Sequence, residues 1–221
     1  VAGLGDHFAA TALVAGVNAA LVKRGKTGKG DLVQASLFQA GCFALSSGFL
    51  SAYSGKAWPR TRFEPNNSTS NTYKCKDGDW FYLAGTAYDK QWADIATNVL
   101  ERPDMADNPR FVTRKAVEDT GSMETQVKMM DEIFATKTYE EWAKIMTEND
   151  VAFEKAQHFT ELVKDPQALE NEYIFYHTYG NEKAAPFAHA PATIASNEWP
   201  KFAPAKLTGS DTKAVLKEAG Y

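Results

Sequence analysis

Asn71-Thr72-Tyr73-Lys74-Cys75-Lys76-Asp77-Gly78-Asp79-Trp80-Phe81-Tyr82-Leu83-Ala84-Gly85 is the stretch whose reading decides the fold class. Asp77-Gly78 supplies the positive φ values of a type I′ turn, and Trp80-Phe81-Tyr82-Leu83 is strand-prone, so the spacing predicts a β-hairpin. Helical patterns follow it. Over residues 88–100, Trp92, Ile95, Ala96 and Val99 fall on one stripe. Asn108-Pro109 reads as a cap followed by proline at the first helical position. Met123, Val127, Met130 and Phe134 share a face, and Thr138-Tyr139-Glu140-Glu141 has capping-box spacing ahead of Trp142, Ile145 and Met146. A strand at 151–153, a helical turn at 160–164 and a break at Asp165-Pro166 complete a small α+β domain over residues 71–165.

Upstream, residues 56–70 carry Pro59, Pro65, Asn66 and Asn67 with almost no periodicity and read as a linker. Residues 37–53 are apolar and small and predict one buried helix, and the alternation over 31–36 predicts a short strand. The first helix is read from Asp6 as N-cap through Arg24, with Phe8, Leu13, Val17 and Leu21 at helical spacing and Gly25 as its stop. Downstream, residues 173–179 are strand-like with a turn at Gly180-Asn181. A stretch punctuated by Pro186, Pro191, Pro200 and Pro204 leads to Asp211, the expected cap of a last helix ending near Ala219.

The 221 residues are 44% hydrophobic and 24% charged, which is globular composition. A net charge of −4 leaves no basic footprint for nucleic acid or anionic lipid. The longest apolar run, around residues 8–22, is interrupted by Gly16 and Asn18, so no membrane segment is expected. Cys42 and Cys75, with no CxxC spacing, read as free thiols in a reducing compartment, which points to the cytoplasm. The opening Val1-Ala2-Gly3-Leu4-Gly5-Asp6 has neither initiator Met nor signal and reads as the interior of a longer chain.

Few motifs carry chemistry. Gly25-Lys26-Thr27 has a helix before it and a predicted strand after it, the reverse of a phosphate loop, and is a helix stop and solvated turn. His7, His158, His177 and His189 lack metal-ligand spacing, so no metal site is expected. There is no G-x-S-x-G elbow. The aromatics at 80–82 and 173–179 could stack on a base, but strand propensity assigns them to a core. Asp6 stands apart. As an N-cap it is worth about 1 kcal/mol. Gly3 and Gly5 also leave the backbone around it bare for a close approach, and an ionised carboxylate held at a helix start is a candidate nucleophile for acyl transfer.

Gly5-Asp6-His7, the small-residue helix and Arg24-Gly25-Lys26-Thr27-Gly28-Lys29-Gly30-Asp31-Leu32-Val33-Gln34-Ala35-Ser36-Leu37 together resemble the second half of class III (CaiB/BaiF-type) CoA-transferases. The likeness continues through Tyr73-Lys74-Cys75-Lys76-Asp77-Gly78-Asp79-Trp80, Glu141-Trp142, Asp165-Pro166-Gln167 and Leu216-Lys217-Glu218-Ala219-Gly220-Tyr221. That group contains formyl-CoA:oxalate and carnitine CoA-transferases and the α-methylacyl-CoA racemases. The resemblance implies an α/β fold: part of a Rossmann-like large domain (1–55, with a return segment 166–221) and the small α+β domain, in an interlocked homodimer. It also implies CoA transfer between an acyl-CoA and a carboxylic acid, through an aspartyl mixed anhydride and an aspartyl-CoA thioester. Asp6 is then the catalytic residue, with Gly5 and His7 beside the CoA thioester. An aspartate side chain ionises well below neutral pH and needs no general base.

The sequence also departs from the family. Glu64-Pro65-Asn66-Asn67-Ser68-Thr69 has no glycine where some transferases carry a glycine-rich loop, and Gly209-Ser210-Asp211-Thr212 lacks the histidine of the usual G-E-H-T. The asparagine-rich approach to the hairpin is closer to transferases of 2-hydroxyacyl groups. In the racemases the same aspartate pairs with a histidine of the other half to exchange an α-proton. Gly5-Asp6-His7 fits the transferases better. Racemase activity, and a non-catalytic role as scaffold for a partner half, are the alternatives; the half on its own is expected to be inactive.

Overall fold

The computed structural model describes residues 3–55, 60–178, 183–199 and 207–221. The hairpin joins β1 (Ser70–Lys74) to β2 (Trp80–Ala84), antiparallel, with Lys74 opposite Trp80 and Ser70 opposite Ala84. Its turn is not type I′. Only Gly78 takes a positive φ, 94°. The Gly78 N–H donates to the Cys75 carbonyl (3.0 Å) and the Cys75 N–H to the Asp79 carbonyl (2.8 Å), so Lys76, Asp77 and Gly78 form a three-residue loop. The Asp77 carboxylate also reaches outside the loop, accepting the Tyr139 backbone N–H at 2.9 Å.

β3 (Phe153–Lys155) adds to β2, giving the antiparallel order β1-β2-β3. Period-two alternation sends Tyr73, Phe81 and Leu83 inward and leaves Trp80 and Tyr82 on the outer face. Helices cover the inner face: α4 (Tyr88–Asp94), continued by a π-helical turn at Ile95–Val99, then α5 (Pro103–Ala106), α6 (Arg114–Asp119), α7 (Met123–Phe134) and α8 (Tyr139–Glu148). The predicted stripe of Trp92, Ile95, Ala96 and Val99 is buried. Asn108-Pro109 opens a turn rather than a helix, with the Asn108 carbonyl accepting from Phe111 and Val112. Thr113 is the true cap, because its extended backbone lets its hydroxyl accept the Ala116 N–H (3.1 Å).

Phe134 is the centre of this unit. Its ring lies 4.8 Å from Tyr73, 4.9 Å from Phe81 and 5.0 Å from Trp142, tilted to the first and edge-on to the other two. The Phe134 carbonyl accepts the Trp142 indole N–H (2.8 Å), so the indole's polar edge is satisfied inside the core. Thr138 and Glu141 form the expected capping box at the start of α8.

The stretch read as linker is built into the unit at its C-terminal end. Asn67, Ser68 and Thr69 are buried. The Asn67 amide donates to the Gly85 carbonyl (2.8 Å) while its oxygen accepts the Thr69 N–H (2.9 Å). A Cβ on Gly85 would come within 2.9 Å of the Thr69 Cβ, so this approach requires glycine. Arg62 makes a two-pronged bond to Asp131 of α7 and donates to the Thr72 carbonyl (3.0 Å), between the Phe63 and Trp80 rings.

The first 55 residues pack differently. Helix α1 (Leu4–Thr27) starts before Asp6 and stops after Gly25: Gly3 is its N-cap at φ 77°, and Gly28 ends it at φ 71° by donating to the Arg24 carbonyl (2.8 Å). Gly16 and Asn18 do not interrupt it, since neither removes a ladder bond as proline would. Contrary to the sequence expectation, the helix is long and apolar enough to cross a membrane by length and composition, with mean hydropathy 1.2 over its most apolar 18 residues. It lies against its own chain along one side. Residues 31–36 form neither helix nor strand and pair with no strand among the described residues, and Val33 instead fills the notch at Gly16, 2.8 Å from where a Cβ would stand. A strand needs a ladder partner, and alternation alone does not supply one. The single buried helix read over 37–53 is two, α2 (Leu37–Ala44) and α3 (Ser46–Tyr53), and only Ala40 and Gly48 of them are buried.

Beyond β3 come α9 (Phe159–Leu162) and α10 (Pro166–Glu170). Asp165-Pro166 is not a break but a helix start, with the Asp165 carboxylate accepting the Ala168 N–H (3.0 Å). β4 (Ile174–His177) pairs with β5 (Ala185–Ala188), and α11 (Thr212–Glu218) closes the chain. The turn read at Gly180-Asn181, and Pro200 and Pro204, lie outside the described residues. The architecture is mixed α/β.

Trp142→Ala is expected to lower the unfolding free energy by about 3–5 kcal/mol, and Thr138→Ala by about 1 kcal/mol, in urea titrations. Equal losses would mean that the aromatic cluster does not hold the unit together.

Candidate active site

The three residues singled out from the sequence meet in one helical turn. With Gly3 as N-cap, Leu4, Gly5 and Asp6 occupy the first three helical positions, so Asp6 is not the cap. The reason is conformational: Gly3 adopts the left-handed geometry that starts the helix three residues earlier than a capping aspartate would. Asp6 is exposed and sits in the turn where backbone N–H groups lack intrahelical acceptors, a position that favours negative charge. Open space surrounds the position a Cβ would take on Gly5. The His7 ring turns back, with Nδ1 2.7 Å from the Gly3 carbonyl oxygen.

The other sequence candidates are elsewhere. Burial, reinforced by Asp77 and Asp79, pushes the Cys75 thiol up to about 12, so it is protonated at neutral pH and is no nucleophile. Cys42 is exposed on α2. His158 starts α9, where its backbone N–H donates to Glu161 (2.8 Å). Among the described residues no three His, Cys, Asp or Glu side chains come together to hold a metal ion. Trp80 and Tyr82 lie on the outer face of the sheet, not in the core as expected, because the alternation that buries Phe81 and Leu83 turns them out.

A cavity of about 510 Å³ opens between α1 and α2, lined by Phe8, Thr11, Ala15, Gln34, Gln39 and Phe43. At about 100° per residue, Phe8 is on the side of α1 away from Asp6, so this cavity does not open onto the carboxylate. Sequence reading missed the Asn67–Thr69–Gly85 node. The density of Asn, Ser and Thr before the hairpin was its only signal, and that density equally describes a loop.

Residues 2–212 match CoA-transferase family III. The chain belongs to that family. This family III chain is 34% identical over its whole length to the (R)-2-hydroxy-4-methylpentanoate CoA-transferase of Clostridioides difficile, covering 54% of that protein. It is 31% identical, again over its whole length, to the cinnamoyl-CoA:phenyllactate CoA-transferase of Clostridium sporogenes, also covering 54%. Among solved structures, a CaiB/BaiF family protein from Brucella suis superposes with a TM-score of 0.73 at 19% identity, over 97% of this chain and 55% of that one. Rv3272 from M. tuberculosis superposes with a TM-score of 0.69 at 21% identity, over 88% and 50%. The chain spans about half the length of the curated relatives it matches. Helix α1, with its membrane-compatible length, lies inside the family match.

Thiol titration of the folded family III chain should find one reactive cysteine, Cys42, and a second only after denaturation. Two fast-reacting thiols in the folded state would contradict the burial of Cys75.

Proposed function

We propose that this chain carries the nucleophile of a CoA-transferase acting on 2-hydroxy acids, with Asp6 as that nucleophile. One observation supports this above the rest: in a family III chain, Asp6 stands exposed in the first turn of α1, between Gly5 with open space around it and His7. The Asp6 carboxylate oxygen attacks the thioester carbonyl carbon of the donor acyl-CoA. The C–S bond breaks, CoA leaves as thiolate, and an acyl–aspartyl anhydride remains. The thiolate then attacks the aspartyl carbonyl, giving aspartyl-CoA thioester and releasing the donor acid as carboxylate. The acceptor carboxylate attacks that thioester to form a new anhydride, and the thiolate takes the acceptor acyl group, regenerating Asp6. No proton has to move in any step, so the site works without a general base. An aspartate is a weak nucleophile, and positioning together with oxyanion donors must compensate. Gly5 permits the close approach, and we assign the oxyanion-donor role to the free N–H groups of the first turn.

The substrate class rests on the two relatives named for 2-hydroxy-4-methylpentanoate and phenyllactate. Both are 2-hydroxy acids with a bulky apolar side chain, and we extend that class to this chain. The large apolar side chains of α1 to α3 that stand exposed, such as Leu13, Val14, Phe38, Phe49 and Leu50, are the surface we assign to the Rossmann-like large domain (1–55 and 166–221) and to an interlocked homodimer. Residues 71–165 are the small domain. Free thiols accord with a cytoplasmic location.

In the active assembly, Asp6→Asn should lower the transfer rate by on the order of a thousandfold or more. Acyl-CoA with hydroxylamine should leave a hydroxamate at Asp6, read by peptide mass. Unchanged transfer in Asp6→Asn would end the nucleophile assignment. Deuterium uptake at C2 of the acyl group without a hydroxamate would assign a racemase instead.

A further inference from the structure

The geometry points to a specific role for His7 as the positioning residue that holds the turn carrying Asp6. This rests on the reading of Asp6 as nucleophile and assigns how its turn is kept in place. Helix α1 begins without a side-chain cap, because its N-cap is Gly3, which has no side chain and sits at φ 77°, ψ −5°. Such an end is prone to fraying, since the first turn has few backbone bonds to hold it and glycine is the residue with the most conformational freedom to lose. Asp6 lies inside that turn.

Two donors from one residue close it. The His7 backbone N–H donates to the Gly3 carbonyl at 3.0 Å, the first ladder bond of the helix. The His7 ring nitrogen Nδ1 lies 2.7 Å from the same oxygen. A carbonyl oxygen only accepts, so this second bond requires the proton on Nδ1 and leaves Nε2 as the acceptor nitrogen of the neutral ring. The imidazole is not a cap in the manner of Ser or Asp, which accept a free N–H of the first turn; it donates to the carbonyl of the cap residue. It ties position four back to the cap residue across Leu4, Gly5 and Asp6. The ring also packs on Gly3 itself: a Cβ there would stand 3.4 Å from the His7 Cε1. Neither Gly3 nor Gly5 contributes a side chain to the turn, so the ring bond is a side-chain tie added to its backbone bonds.

The chemistry gives this tie a purpose. A carboxylate without a general base depends on its angle of approach, and a displacement of about 1 Å can cost on the order of a hundredfold in rate. The tie also fixes which donor atom matters, and that makes it testable. The amide nitrogen of asparagine can occupy the place of Nδ1, while that of glutamine reaches to the place of Nε2.

The test compares His7→Ala, His7→Gln and His7→Asn in the active assembly, with Asp6→Asn alongside. His7→Ala and His7→Gln should lower kcat by about tenfold to a hundredfold with the KM for acyl-CoA unchanged. His7→Asn should recover most of the loss. Rescue by Gln and not Asn would make Nε2 the working atom and overturn the proposal, as would a His7→Ala enzyme with unaltered kcat or one changed in KM alone. Nitrogen-15 spectra of the unmutated chain give a readout that does not depend on variant folding: the neutral His7 ring should carry its proton on Nδ1, and a ring protonated on Nε2 would overturn the proposal. The two readings fail separately. An inactive Asp6→Asn with a fully active His7→Ala removes only the role of His7. An active Asp6→Asn removes the nucleophile, while the tautomer of His7 still reports the bond to Gly3.

Discussion

The packing of Phe134 against Tyr73, Phe81 and Trp142 is the contact on which the small α+β unit depends. It joins the two strands of the hairpin to the end of α7 and the start of α8, four elements distant in sequence. The loop between α7 and α8 then has a fixed place. Thr138 can cap α8 there, and the Asp77 carboxylate, at the tip of the hairpin, reaches the Tyr139 N–H. That reach explains the turn type. An aspartate serving a helix end across 62 positions of sequence is held at an ordinary negative φ, so the loop takes three residues and only Gly78 enters the left-handed region.

Residues 3–55 follow the opposite logic. Over residues 8–22 helix α1 carries only Thr11 and Asn18 as polar side chains, yet among the described residues the chain covers only the side that meets residues 31–36 and α2. A helical stretch this apolar suits a buried setting. The small unit, in contrast, buries its large residues within itself, down to Trp92, Trp142 and Phe111. One chain thus contains a self-sufficient core and a set of helices whose apolar surface is uncovered, as is consistent with a match to about half of each relative.

The start of α1 is where these two facts bear on chemistry. Placing the N-cap on Gly3 rather than Asp6 frees the carboxylate from capping, and it leaves the helix end dependent on the His7 ring. A capped aspartate would be spent on its own backbone. An uncapped one, exposed in the first turn, is free for the nucleophilic role we propose.

Much of this was written in the sequence. The hairpin, the capping box at Thr138 and the buried stripe of Trp92, Ile95, Ala96 and Val99 are local patterns, and local patterns survive folding because period and propensity act over a few residues. Gly5-Asp6-His7 was legible for the same reason, as a string with its family likeness. What the tertiary structure alone decided is everything that depends on a partner far along the chain. Residues 31–36 alternate like a strand but have no ladder to join among the described residues, and 37–53 is broken into two exposed helices. Residues 67–69 look like a linker but are buried because Gly85, sixteen or more positions away, accepts their hydrogen bonds. Asp6 carries every mark of a cap, and a left-handed Gly3 takes the cap from it. Sequence periodicity reports which side of an element is apolar; what that side, or a backbone polar group, meets is set by long-range packing.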